Sequence, residues 1–416
     1  MSHTNNSLTH RLKDGALRRD FPIFRTNSRD NGLIYLDSGA SAQKPHSVLT
    51  SIQDFYDSAY ANIHRGVYQL SEEATLRYEG GRERVRRFLN ARRVEEIVFV
   101  RGTTEAINLL ASTFGRSKVG PGDEILITHM EHHSNIVPWQ MLCQSTGAHL
   151  VVVPITDDGA LDLEEFERLL GPRTKLVSVA HVSNALGTIN PVKEIVRLAH
   201  DKGVPVVIDG AQAVPHLPVD VQDLDCDFYV FSGHKIYGPT GIGALYGKAG
   251  HLAAMPPYQG GGDMIESVTF DKTTYAPVPA RFEAGTPNIA GVVGLTAALD
   301  YVDAVGFEAI QEHGEDLLEH GTRLLEEIPG LRIVGTAARK VPVFSFVLDD
   351  IHPHDVGTFL AGANVAVRAG HHCAQPVMER FGVPATTRAS LGIYNTREDL
   401  QALVDAILQL RRFFGK

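Results

Sequence analysis

Only three cysteines, Cys143, Cys226 and Cys373, occur along 416 residues, and three thiols cannot all pair. Their wide spacing offers no disulfide framework, so a reducing compartment is the expected setting. Long apolar runs are missing too: the stretch at 150–153 is far too short to span a bilayer. There is no excess of positive charge. With 49 acidic against 39 basic residues the formal net charge is -10, which argues against a general nucleic-acid or anionic-membrane binder. The N-terminal MSHTNNSLTHRLKDGALRRD lacks an apolar h-region, so no secretory signal is expected and the predicted location is cytoplasmic. Low-complexity tracts and short-period repeats are also absent.

What remains is ordinary globular material, 43% hydrophobic and 21% charged, long enough for a sizeable core and two domains. From about residue 95, short β-rich runs alternate with helical stretches. EEIVFV leads into TTEAINLLASTF, AHLVVVPI precedes LDLEEFERLL, and TKLVSVAHV precedes VKEIVRLAHDKG; VPVVIDG and DFYVFSG follow. Continuous apolar strands between amphipathic helices predict an α/β fold with a large, mainly parallel sheet covered on both faces. Residues 256–291 are rich in Gly and Pro and read as irregular. Beyond them come two helical patterns, the strands LRIVG and VPVFSFVL, a helix near HPHDVGTFLAG, and a last helix over 397–414. We therefore expect a large domain over 31–295. A small α+β domain is expected from 296–416 together with 1–30.

Ligands of such sheets sit beyond the carboxyl ends of the strands, so loop residues there matter most. Thr103 and Thr104 follow EEIVFVRG at a helix start, where hydroxyls and free N–H groups suit a phosphate. Taken alone, an ordinary threonine N-cap is the commoner explanation. Asp209 ends VPVVI and precedes glycine; it reads either as a turn former or as a partner for a cation, a metal or a protonated ring nitrogen. Ser232, His234 and Lys235 follow DFYVF, and a lysine at an apolar strand end favours its neutral, nucleophilic form. A solvated loop lysine is the plain alternative. Together, a lysine, an acid and phosphate donors at one end of one sheet match the needs of pyridoxal 5′-phosphate.

His132 and His133 in THMEHHSNIVPWQ offer a flat ring for stacking or proton transfer. In RAGHHCAQP, Cys373 follows His371 and His372, polar company that favours a thiolate. A zinc site, and with it a zinc hydrolase, would draw on the same residues, but the common zinc spacings are missing and no metal is assigned. Arg388 and Asn184 are candidates for gripping an amino-acid carboxylate, the first through a bidentate fork.

With these residues in view, the chain resembles the class V aminotransferase-like enzymes, and closely the SufS-type cysteine desulfurases. The resemblance runs from YLDSGASAQKP through ANIHRGVYQLS, RGTTEAIN, MEHHSNIVPWQ, HVSNALGT, DGAQAVPH, FSGHKIYGPTGIG and RFEAGTPN to RAGHHCAQP. It implies an aspartate aminotransferase-like, fold type I pyridoxal phosphate enzyme. By the same resemblance Lys235 would hold the cofactor covalently, Asp209 its ring nitrogen and Gln212 its ring hydroxyl oxygen. His132 would stack on the ring and move protons. Thr104, Ser232 and His234, flanked by Thr103, would hold the phosphate, with Thr286 reaching in from the second subunit of a homodimer. Asn184 and Arg388 would orient the substrate carboxylate, and His64, Arg65 and Arg368 would further line the site. The implied reaction converts L-cysteine to L-alanine with a persulfide on Cys373, passed to a SufE- or SufU-like acceptor for iron–sulfur cluster assembly. Selenocysteine lyase activity on L-selenocysteine is the neighbouring alternative; a non-catalytic partner that keeps the fold is an alternative of another class.

Overall fold

The computed structural model describes residues 12, 15–26 and 32–415. Seven strands form its central sheet: Ile97–Val100 (β1), Glu124–Thr128 (β2), His149–Val153 (β3), Thr174–Ala180 (β4), Val206–Asp209 (β5), Phe228–Ser232 (β6) and Gly243–Gly247 (β7). Their order is β1-β7-β6-β5-β4-β2-β3. Every pair is parallel except the two made by β7, which runs against both β1 and β6. The sequence reading missed β7, because GIGALYG is bounded by the glycines that also mark loops. Gly243 has to be small: a Cβ there would lie 2.4 Å from the Phe231 carbonyl oxygen and 2.8 Å from Gly102 Cα.

Helices α1 (His46–Ser58), α2 (Gln69–Phe88), α3 (Thr103–Leu110), α4 (Val137–Thr146), α5 (Val192–Asp201) and α6 (Ile289–Val305) flank this sheet. Side chains alternate across the strands. Val206, Ile208, Tyr229 and Phe231 join one core with Phe55, Tyr78, Ile195 and Leu295, while Val207, Phe228 and Val230 join another with Ile107 and Trp139. Away from the edge strand β3, where Val152 is exposed, both faces are dry, which explains the unbroken apolar runs of the inner strands. Each such burial stabilises the fold by about 1.5–3 kcal/mol. Helix α5 shows the matching period: Val192, Ile195, Val196 and Ala199 are buried, and Arg197 on the outer face pairs with Glu194 and Asp201.

A second sheet, order β8-β9-β11-β10, is antiparallel and comprises Leu331–Val334 (β8), Val343–Leu348 (β9), Arg368–Gly370 (β10) and Thr386–Ser390 (β11). Helices α7 (Phe307–Glu326), α8 (Pro353–Gly362) and α9 (Arg397–Phe413) pack on it through Leu317, Leu360 and Ile407. The boundary expected at 295/296 falls inside α6, whose Leu299 and Val302 belong to the large-sheet core. Of the N-terminal segment 1–30 expected to join the small part, residues 1–11, 13–14 and 27–30 lie outside the described residues. Leu12, Leu17 and Phe21 are buried in the large-sheet core, and Arg18 pairs with Asp399 of α9 at 2.9 Å. The stretch 256–291 is less irregular than its composition suggests: it holds a hairpin of Ile265–Val268 and Thr273–Tyr275 and the start of α6. Among the described residues no single helix is long and apolar enough to cross a membrane.

Candidate active site

Strands β1, β2, β4, β5 and β6 all deliver their carboxyl ends to one edge of the sheet, and a cavity of 220 Å³ opens there. Its walls include Thr103, Thr104, His132, Asn184, Asp209, Ser232, His234, Lys235, Arg368, Cys373 and Arg388. Larger clefts lie elsewhere, of 700 and 1160 Å³, and one of 600 Å³ adjoins this cavity. The 700 Å³ one is lined by His200 and His251, both already bonded to Asp227.

Asp209 terminates β5, and the turn after it passes so close to Tyr229 that a Cβ on Gly210 would lie 2.1 Å from that ring. One Asp209 oxygen accepts from the Ala211 N–H at 2.9 Å; the other has no protein partner among the described residues. The turn reading thus uses one oxygen and leaves the other open to a ligand. Burial pushes its pKa up, against the pull of Lys235. Lys235 sits in the short 3-10 turn Gly233–Lys235 directly after β6. Burial lowers its pKa to about 8, with Asp209 opposing and Arg388 and Arg368 reinforcing the shift. Such a lysine reaches its nucleophilic form near neutral pH.

The threonine pair is not an N-cap. Gly102 occupies that position, and Thr103 and Thr104 are the first helical residues of α3, with no side-chain cap on the helix. Thr103 donates its N–H to Ser232 Oγ at 2.9 Å, and the two hydroxyls lie 3.0 Å apart. His132 accepts the Ser134 N–H on Nδ1 at 3.0 Å, which leaves Nε2 to carry its proton. Burial first, then Lys235, hold His132 down at about 3, so its ring is neutral. His234 is likewise pushed down to about 4 by burial, then by Lys235 and Lys44.

On the opposite wall, Arg388 of β11 is buried and its fork is already occupied. Nη1 donates to the Asn184 carbonyl at 2.9 Å and Nη2 to Asp37 at 3.0 Å, while Nε is buried without a partner. The Asn184 amide donates to the His372 carbonyl at 2.5 Å. Cys373 is exposed on the rim; both it and His372 adopt left-handed backbone, φ 55 and 53. His372 Nε2 lies 2.8 Å from Thr386 Oγ1, and its Nδ1 is buried and unpartnered.

Four expected site residues do not wall this cavity in the single chain. Gln212 stands just behind it, donating to the Gly39 carbonyl at 2.6 Å. Thr286 is exposed. His64 pairs with Glu79 at 3.0 Å and Arg65 with Asp263 at 3.4 Å, both on the outside. Asp37 and Glu131, by contrast, were not singled out from sequence. Glu131 is fully buried and receives Thr128 Oγ1, Asn135 Nδ2 and the Ala180 N–H; burial raises its pKa to about 7. Its position beside His132 was the only signal. Nothing local marks Asp37, whose partner is 351 residues away.

The unsatisfied groups suit pyridoxal 5′-phosphate. A free Asp209 oxygen could receive a ring nitrogen, the Lys235 amine a carbonyl carbon, the neutral His132 ring a flat π-system, and the open α3 start with Ser232 a phosphate. Fold and cavity thus define a class, the pyridoxal phosphate-dependent enzymes of fold type I. The profile of the aminotransferase class-V family matches residues 34–403, and the chain belongs to that family. It is 55% identical over 395 residues to a cysteine desulfurase of Synechococcus elongatus, covering 95% of this chain but 63% of that longer protein. With a cysteine desulfurase of Cronobacter sakazakii it shares 52% identity over 400 residues, 96% of this chain and 98% of the other. The solved structure of the cysteine desulfurase CsdA from Escherichia coli superposes with a TM-score of 0.88 at 40% identity, covering 96% of this chain and 98% of that one. Apo cysteine desulfurase from Thermococcus onnurineus gives 0.90 at 38% identity, with coverage of 95% and 97%.

Proposed function

We propose that this chain is a cysteine desulfurase that converts L-cysteine to L-alanine and leaves a persulfide on Cys373. The observation that carries the reading is an exposed thiol on the rim of a cavity whose floor holds Lys235 and Asp209 and whose wall holds the buried, unpartnered Arg388 Nε. Bound pyridoxal phosphate supplies an electron sink that loosens the substrate's Cα proton and weakens its Cβ–Sγ bond. Lys235 holds the cofactor and takes the Cα proton on its Nζ. Asp209 keeps the ring nitrogen charged, and Gln212 lies next to the ring oxygen. The neutral His132 ring stacks and moves a proton through Nε2. Thr103, Thr104, Ser232 and His234 hold the phosphate, and Asn184 with Arg388 orients the substrate carboxylate; Arg368, His64 and Arg65 complete the surroundings. The Cys373 thiolate attacks the substrate sulfur: one S–S bond forms, the Cβ–Sγ pair stays with the carbon fragment, and that fragment takes a proton at Cβ and regains one at Cα to leave as alanine.

A homodimer is part of this reading. Val67 and Leu76 are nearly bare, and Tyr56, Tyr60 and Tyr68 are about half exposed on α1, α2 and the segment between, which supports a second copy covering them. It would bring Thr286 to the phosphate end, where a second cleft opens beside Thr103 and Thr104. The exposure of Cys373 supports transfer to a SufE- or SufU-like acceptor in iron–sulfur cluster assembly, in the cytoplasm, with a large sheet domain and a small domain carrying the Cys373 loop. The test is alanine and sulfide formation from L-cysteine by the holoenzyme and its Cys373→Ala variant. Cofactor absorbance retained with desulfuration lost is the expected result; full activity in the variant removes Cys373 from the reaction. Turnover of L-selenocysteine by the same pair separates a lyase, for which the thiol is dispensable.

A further inference from the structure

His133 follows His132 in sequence but does not wall the cavity. It faces the loop that carries Cys373 and touches that loop twice. Its main-chain N–H donates to the Cys373 carbonyl at 2.7 Å, and its Nε2 accepts the Gln375 N–H at 3.1 Å. These bonds pin the chain at Cys373 and two residues after it. The Gln375 N–H is one of the unpaired donors at the start of the helix Gln375–Arg380, and the ring of His133 satisfies it from another part of the chain.

The loop needs such restraint. His372 and Cys373 are successive non-glycine residues in left-handed backbone, which persists only when the surroundings over-determine it. Packing holds only alternate residues of the loop: His372 and Ala374 are buried, whereas His371, Cys373 and Gln375 are exposed. Other ties are the Asn184 amide on the His372 carbonyl, His372 Nε2 on Thr386 Oγ1 at 2.8 Å, and a turn bond from the Ala374 N–H to the His371 carbonyl. We propose that His133 is a positioning residue for sulfur transfer: its main-chain N–H and ring nitrogen together hold the Cys373 turn so that the thiol stays on the cavity rim. Nε2 must be unprotonated to accept the Gln375 N–H, and burial followed by the neighbouring His371 lowers the His133 pKa, which supports that state.

The kinetic consequence rests on the desulfurase reading; the geometric one does not. The test compares wild-type holoenzyme with His133→Ala and His133→Gln, the latter keeping a carbonyl oxygen able to accept from Gln375. One lost hydrogen bond to the turn predicts that His133→Ala lowers kcat for L-cysteine about 10-fold with little change in KM. Iodoacetamide labelling of Cys373, read by peptide mass spectrometry, should accelerate several-fold, cofactor absorbance should not change, and His133→Gln should recover most of both effects. Wild-type kcat and labelling in His133→Ala, or a His133→Gln variant as impaired as His133→Ala, overturns the proposal. If even wild type forms no alanine from L-cysteine, the desulfurase reading fails, and the labelling rates alone decide the role of His133.

Discussion

Arg388 donates from Nη1 to the main-chain carbonyl of Asn184, so the two residues proposed to grip a substrate carboxylate are bonded to each other. With Asp37 on Nη2, the guanidinium is clamped at two points and offers its buried Nε to a ligand. The Asn184 amide has a second hydrogen beyond the one given to His372, and Asn184 lines the same cavity as Arg388.

Replacing Arg388 by lysine keeps the charge and loses the fork. Because charge-assisted bonds contribute about 1.5–3 kcal/mol each, Arg388→Lys should raise KM for L-cysteine by about 10-fold or more. Steady-state kinetics on the cofactor-loaded variant checks this. An unchanged KM would remove Arg388 from the carboxylate's site.

Lys235 titrates near 8 instead of the 10.5 of an ordinary lysine. Its neutral amine is the form that captures a carbonyl, and it predominates above that pKa. Uptake of pyridoxal phosphate by cofactor-free protein should therefore accelerate as pH rises and reach half its maximum near pH 8. Stopped-flow absorbance across the range gives the profile. A midpoint close to that of free lysine contradicts the burial argument.

Gly102 has φ 153 with extended ψ, a region only glycine occupies readily, and a Cβ on it would come within 3.0 Å of Ser232 Oγ. Gly102→Ala should cost about 1–3 kcal/mol in local strain and disturb the Thr103–Ser232 pair. Cofactor affinity, measured by equilibrium dialysis, is expected to fall by about 10-fold or more, since 1.4 kcal/mol is a factor of ten. Unaltered retention would show that this turn has no part in holding phosphate.

Asp227, remote from the cavity, accepts from His200, His251 and the Val206 N–H at 2.8–2.9 Å. Burial raises its pKa, but these donors outweigh burial and hold it at about 2. A depressed carboxylate stabilises the fold at pH values above its unfolded pKa and loses that contribution as pH falls through the folded one. The shift corresponds to roughly 2 kcal/mol. Urea unfolding of Asp227→Ala should show a loss of about that size at pH 7, narrowing below about pH 4. A gap that does not change with pH would assign the loss to packing alone.

The sequence by itself determined the sheet and the side of it on which chemistry occurs. Apolar runs such as VVID and FYVFS could only be strands buried on both faces, and each ends on a residue, Asp209 or Ser232, that the cavity uses. Periodicity is a local property, so elements with strong periods were legible and the glycine-bounded β7 was not. Only the tertiary structure decided that Gly102 is the cap and Thr103 is free to bond Ser232, that Asp37 clamps Arg388, and that His133 and Asn184 tether the Cys373 turn. Those relationships join segments separated by more than a hundred residues. Their energies depend on distance and burial in the folded chain, which no local pattern encodes.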